Sequence, residues 1–354
     1  MSEKILVLNP GSQSTKIAMY NGGERKWQKN IEHSIEELKK YPNVYDQTDM
    51  RYELIIKSVA ENNDTLSDLS AVACRGGPVT VYKSGGYEVT DELIRLAREK
   101  PMSIHVSNAA MGIGKKIADS LGVKCYIYDG VTVDEMIPIV KVTGLKEMSR
   151  RGQGHTLNMR AAAIKLCEQN GWDYYAKNIA VAHLGGGITL SLHSNGVIID
   201  MISDDEGPYS PERAGGLPGF QLINECFSGA YTEESMFKRI QRAGGLMAHL
   251  GVTDIREVEK RISDGDQKAK LVYEAMALNV AKNLAKLAVT VKGQIDSFVL
   301  TGGIAYSEYF CGMVIDYIQF LAPVSVLPGE NEMDALAFGV ARILKGEEKP
   351  NKFN

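Results

Sequence analysis

The chain has 354 residues, 44% of them hydrophobic and 24% charged, with a formal net charge of −4. That length favours two domains over one and leaves ample chain for a core. The mild acidity gives no electrostatic reason to expect nucleic acid or an anionic membrane as a partner.

Cys74, Cys125, Cys167, Cys226 and Cys311 are odd in number and widely spaced, and none forms a CxxC. They fit reduced thiols in a cytoplasm better than a disulfide framework or a zinc site. No signal peptide is expected, and no apolar run approaches the ~18 residues of a membrane span.

Residues 5–20 read as strand, tight turn and strand, with Ile5-Leu-Val-Leu running into Asn9-Pro-Gly-Ser-Gln-Ser-Thr-Lys16. Residues 179–199 repeat the device, with an apolar run entering His183-Leu-Gly-Gly-Gly187 and leaving through Thr189. Such turns expose backbone N–H groups that no side chain covers, which suits a phosphate. An ordinary hairpin loop is the competing reading of either turn alone.

Residues 27–40 are polar and charged. Helices are expected over 50–62 and 91–99, the latter capped by Thr90, with a short strand Leu69–Cys74 between them. Residues 107–121 form a helix stopped by Gly122, and 123–128 a strand ending at Asp129. Strand, helix and strand in alternation imply a parallel sheet, hence an α/β fold. In the second half, helices are expected over 155–169, 233–243, 254–263, 267–291 and 332–345. A strand at 298–301 breaks on Gly302 and Gly303, and the tail from Lys345 to Asn354 reads as loose.

Arg75, after a strand and before two glycines, could clamp a carboxylate or phosphate, or form a surface salt bridge. Arg213 falls in the glycine-rich stretch 207–219, read as a flexible loop of the kind that closes over a substrate. Asp129 stands at the carboxyl edge of the sheet, where α/β folds place ligands, and could hold Mg²⁺ or begin a turn. Glu330 and Glu332 flank a helix start, where capping carboxylates also occur. His155 could donate to a phosphoryl group or cap a helix. His33, His105, His193 and His249 read as structural. Gly112-Ile-Gly-Lys-Lys116 is not a P-loop, because it lies in a helical pattern and no Ser or Thr follows the lysine.

With these residues set out, the chain resembles the acetokinase family of the acetate and sugar kinase/Hsp70/actin superfamily. Asn9–Lys16 is similar to the family's first phosphate loop, and His183–Gly187 to the butyrate-kinase form of the second. Cys74–Gly77, Tyr128–Gly130, His155–Asn158 and Thr301–Gly303 follow in the family's order. Gln13 departs from it, standing where a small hydroxyl residue is expected.

The resemblance implies a duplicated actin-like (ribonuclease H-like) fold, two domains around a nucleotide cleft. Residues 1–150 with 333–354 would form the acyl-substrate side and 151–332 the nucleotide side. It implies phosphorylation of a short-chain fatty acid carboxylate, butyrate or a branched relative, using ATP and Mg²⁺. Arg75, His155, Arg213 and Asn9 would be catalytic. Ser12, Ser14, Lys16, His183, Gly185, Gly186, Gly187, Gly302, Gly303 and Ile304 would bind the nucleotide, and Asp129 and Glu332 the metal. The alternatives are an acetate or propionate kinase, or an actin-like nucleotide switch without kinase activity. A cytoplasmic homo-oligomer is the family-level expectation, with neither nucleic acid nor membrane as partner.

Overall fold

The computed structural model describes residues 3–102 and 104–353; Asn354, the end of the tail read as loose, lies outside the described residues. The chain divides into two units, Met1–Asp134 with Asn331–Asn354, and Glu135–Glu330.

The first unit is built on strands β1 (Lys4–Gly11), β2 (Ser14–Asn21), β3 (Glu24–Glu32), β4 (Ala71–Arg75), β5 (Gly86–Glu88) and β6 (Lys124–Tyr128). They lie in the order β3-β2-β1-β4-β6-β5. The first three form an antiparallel meander, and β4 and β6 run parallel to β1. The carboxyl ends of β1, β4 and β6 therefore share one edge.

β3 occupies the stretch read only as polar. It is an edge strand of which just Trp27, Lys29 and Ile31 are half-buried. Charged edge residues discourage pairing with another chain, and they also hide the strand from a hydrophobicity reading.

The second unit repeats the plan with β7 (Asn178–Leu184), β8 (Ile188–Ser194), β9 (Val197–Ile202), β10 (Ser297–Gly302) and β11 (Val324–Pro328). Their order is β11-β10-β7-β8-β9, again an antiparallel meander followed by two parallel strands. Each meander has a register shift between its second and third strands, at Met19/Tyr20 and at Leu192/His193. The duplication thus extends from the turns to the sheets.

Helix Val106–Leu121 ends on Gly122 in the left-handed conformation, and Thr90 Oγ1 accepts from Leu93 N at 3.2 Å, both as the sequence suggests. A Cβ on Gly114 would lie 2.2 Å from Cys74 Sγ and 2.8 Å from Cys125 Sγ, so glycine lets this helix settle onto β4 and β6. Gly114→Ala is expected to cost about 1–3 kcal/mol by overpacking, read as a lower denaturant midpoint with an unchanged slope.

The tail is fastened, contrary to expectation. Asn351 N donates to Gly86 O and Asn351 Nδ2 to Ser84 O, each at 2.8 Å, and Tyr128 OH donates to Glu348 Oε2 at 2.6 Å. Among the described residues, no helix is long and apolar enough to cross a membrane. Four of the five cysteines are buried and Cys226 is exposed, all with free thiols.

Candidate active site

In the first unit, two strand-end residues, Asn9 and Arg75, meet a third from the last helix, Glu332–Leu344. Asn9 Nδ2 donates to Glu332 Oε2 at 2.7 Å, and Arg75 Nη1 donates to the same oxygen at 2.9 Å. Arg75 Nη1 also lies 3.4 Å from Asn9 Oδ1. Glu332 is buried, whereas Glu330 is exposed and belongs to the other unit.

Asp129 follows β6, next to the Arg75 row. Its φ of 41° is left-handed, a conformation that short polar residues tolerate. Gly85 N donates to its Oδ1 at 2.9 Å, and its own N–H donates to Gly85 O at 3.2 Å. The side chain is buried and held in one pose.

The first turn is a two-residue hairpin loop, because Gly11 pairs with Ser14. Ser12 and Gln13 stand exposed at its tip, and Ser14 and Lys16 are half-buried on β2, with Lys16 opposite Asn9.

Two residues not singled out in sequence support this region. Arg51, on helix Thr48–Glu61, lies behind the turn with its guanidinium fully buried. His105 caps helix Val106–Leu121, and desolvation together with the charge of Arg75 holds its imidazole below the ordinary histidine range. Nothing in the sequence marks Arg51 within the helix expected over 50–62, and His105 reads there as structural.

In the second unit the turn between β7 and β8 brings His183, Gly185, Gly186 and Gly187 together. The rings of His155 and His183 stack with centroids 3.8 Å apart and planes 9° from parallel. His155 precedes helix Thr156–Asn170, yet its side chain makes no cap bond; Nδ1 meets Thr189 Oγ1 at 3.0 Å instead. Asn158 Nδ2 donates to His183 Nδ1 at 2.8 Å and reaches Thr301 Oγ1 at 3.5 Å. Both rings are therefore held in place, His155 by Thr189 on β8 and His183 by Asn158 on helix Thr156–Asn170.

Arg213 lies across Gly187: a Cβ there would be 2.7 Å from Nη1. It forms an ion pair with Asp204. The segment carrying it is braced, not flexible as read from its glycines. Ser210 is fully buried, donates through Oγ to Gly186 O at 2.5 Å and accepts from Arg213 N at 3.1 Å. Ala214 N donates to Ile240 O, and Gly244 N to Glu212 O, each at 2.9 Å. The glycines serve close backbone packing: Gly215 has φ 66°, and a Cβ there would lie 2.6 Å from Gly207 O.

The third turn follows β10. Gly302 has φ 92°, and a Cβ would lie 2.4 Å from Leu184 O, so the fold itself requires glycine there. Ile304 is buried in a single 3₁₀ turn, Ile304–Tyr306. Gly303 differs from Gly302. Its φ is −67°, and a Cβ would meet nothing within 4 Å.

The two replacements should therefore part. Gly302→Ala is expected to destabilise the unit by about 1–3 kcal/mol through strain and overlap. If the turn holds the nucleotide, as the family resemblance implies, Gly303→Ala should leave the melting temperature unchanged and weaken nucleotide binding about tenfold, read by titration with a fluorescent ATP analogue. Unchanged nucleotide affinity in Gly303→Ala would argue against that role.

Residues 152–322 match the acetokinase family. "Probable butyrate kinase 2" of Caldanaerobacter subterraneus subsp. tengcongensis is 42% identical over 348 residues, 98% of each chain. "Butyrate kinase 2" of Clostridium acetobutylicum is 38% identical over 355 residues, 100% of each chain. The chain belongs to the acetokinase family.

Solved structures show the same fold. Porphyromonas gingivalis acetate kinase gives a TM-score of 0.82 at 20% identity, covering 97% of this chain and 100% of that one. A propionate kinase from Francisella tularensis subsp. tularensis SCHU S4 gives 0.77 at 18%, covering 95% and 98%. This acetokinase-family chain thus has the duplicated α/β actin-like fold, and each unit carries its own group of strand-end residues.

Proposed function

We propose that this chain transfers the γ-phosphoryl group of ATP directly to the carboxylate of a short-chain fatty acid, butyrate or a branched relative. The observation that carries the reading is the 42% and 38% identity, over nearly the whole chain, to relatives named butyrate kinase. A carboxylate oxygen attacks the γ-phosphorus, the bond to the β–γ bridging oxygen breaks, and ADP leaves with that electron pair. No general base is needed, because the acid is already ionised at neutral pH.

Phosphoryl transfer asks a protein for alignment and charge neutralisation more than for covalent chemistry. In the first unit, Arg75 uses Nη1 on Glu332 and Asn9. The planar fork then presents its other N–H groups in fixed directions to the acid's carboxylate. Asn9, at the mouth of the first turn, orients the transferring group. In the second unit, the glycine turns offer backbone N–H groups to the nucleotide phosphates. His155, locked by its stacking on His183, and Arg213 would stabilise the charge on the phosphoryl group as it moves.

Among the described residues, no group of three or more His, Cys, Asp or Glu is arranged to hold a metal. Mg²⁺ in phosphoryl-transfer sites takes one or two carboxylates and fills its shell with water and phosphate, so Asp129 and Glu332 suit it. Bound there, Mg²⁺ would neutralise charge on the β- and γ-phosphates.

Trapping acyl phosphates with hydroxylamine, using acids of two to six carbons, tests the reading. Activity should peak on butyrate or a branched acid of similar size. One methylene is worth only ~1–3 kcal/mol of discrimination, so neighbouring acids should react as well. A peak on acetate would overturn the preference, and no acid-dependent ADP formation would overturn the reading.

A further inference from the structure

Arg51 carries a charge that no carboxylate touches. Its Nη1 donates to Ser14 O and to Thr15 Oγ1, each at 2.8 Å, and its Nη2 lies 3.4 Å from Ser12 O. Nε and Nη2 donate to Gln47 Oε1 at 3.1 and 2.9 Å. Every one of these partners is uncharged. Thr15 Oγ1 bonds His33 Nε2 at 2.8 Å, but burial and the Arg51 charge hold that imidazole below the ordinary range, so it stays neutral. Glu37, on the short helix Ile35–Leu38, attracts Arg51 from outside hydrogen-bond contact. Burial pulls the guanidinium down to about 10, and it remains charged at neutral pH.

A buried ion with no carboxylate in contact is costly, and helix propensity or packing alone would be served as well by an apolar side chain. The contacts show where the charge is directed. Arg51 grips the inner carbonyls of the loop Ser12–Thr15. In a trans peptide a C=O turned inward sends the following N–H outward, so holding Ser12 O directs Gln13 N–H away from the core.

We propose that Arg51 is a positioning residue whose buried positive charge, set behind the Ser12–Thr15 turn, is the counter-charge for the phosphoryl group that the turn receives. This rests on the reading of that turn as a phosphoryl site. Arg51 acts through the loop and touches neither substrate nor nucleotide.

Gln47→Glu isolates the charge. The new carboxylate has the same shape, keeps both bonds to Arg51 and cancels its charge in place. The variant should melt at a higher temperature than the wild type, yet its KM for butyryl phosphate in the ATP-forming direction should rise about tenfold. The thermal stabilisation given by inorganic phosphate should shrink, and affinity for a fluorescent ATP analogue should hold. A purely structural role predicts no such opposition between stability and phosphate binding.

Arg51→Lys keeps charge without the fork, and Arg51→Gln removes the charge. Arg51→Lys should fall between the wild type and Arg51→Gln in KM, and this pair decides the matter if Gln47→Glu does not fold. Wild-type KM and phosphate response in Gln47→Glu overturn the proposal, as does equal impairment of the two Arg51 variants. A wild-type enzyme making no ATP from butyryl phosphate would instead overturn the functional reading. The inorganic-phosphate measurement reads Arg51 even then.

Discussion

Arg213→Ala should lower kcat about 10³-fold or more, the scale on which an arginine stabilises a phosphoryl transition state, while ATP-analogue affinity changes by less than about threefold. The side chain lies on Gly187, tied to Asp204 and reached through Ser210, so its position is set by the second glycine turn. The turn's backbone would hold the nucleotide, and the guanidinium would answer the charge that develops during transfer. Gly187→Ala is the companion. A Cβ 2.7 Å from Nη1 must push the arginine aside, so that variant should lose turnover in the same way with Arg213 still present. Steady-state kinetics beside equilibrium titration make the test. A fall in nucleotide affinity matching the fall in kcat would show Arg213 to be a binding group and would defeat the assignment.

Glu332→Ala should show the second large effect, a loss of about 10²-fold or more in kcat with an apparent Mg²⁺ affinity weakened about tenfold. One buried carboxylate oxygen takes both Asn9 and Arg75. Removing it leaves two donors without their acceptor, and the expected cost is about 1–3 kcal/mol of stability, kept modest because Arg75 is partly solvated. Glu332→Gln separates the two roles. The amide oxygen can still accept from Arg75 and Asn9, but the charge that would draw the metal is gone. Full activity restored by excess Mg²⁺ in Glu332→Gln would support a metal role. A Mg²⁺ titration unchanged from wild type, with kcat low, would make Glu332 an anchor for Arg75 alone.

The parts of the fold that were legible share a cause. β1 and β7 are buried along their length, so each reads as an apolar run stopping at a turn. Thr90 and Gly122 mark helix ends by local chemistry that needs no partner. β3 was hidden by its charged edge, and β11 by its shortness and half-burial. Helix Glu308–Ile318 was missed because Tyr309, Phe310, Val314 and Ile315 carry β-type preferences that tertiary packing overrides. Ser307 Oγ, accepting from Phe310 N at 2.9 Å, was its readable signal.

The site divides in the same way. Asn9, Arg75, Asp129 and His183 could be picked out singly, because each stands where a strand ends. What joins them was out of reach. The Asn9–Glu332 bond closes over 323 residues, and no spacing rule connects the two. The braced state of the Arg213 segment was equally hidden, since glycines that permit close packing look in sequence like glycines that permit motion.

The return of residues 331–354 to the first unit sets an order of events during synthesis. Residues 135–330 form a unit of unbroken chain, whereas the first unit is split across the two ends of the sequence. Chains are made from the N-terminus at ~5–20 residues per second, so Asn9 and Arg75 exist for tens of seconds before Glu332 does. Throughout that interval the first sheet lacks its last helix and the fastening of Glu348 to Tyr128 and Gly86 and of Asn351 to Ser84 and Gly86. The second unit is synthesised before Glu332, and the Asn9–Arg75–Glu332 cluster forms only once the last helix has been made. A nascent or C-terminally clipped molecule would keep the glycine turns of residues 185–187 and 302–303 yet lack the carboxylate that fixes Arg75, so it could hold nucleotide without spending it.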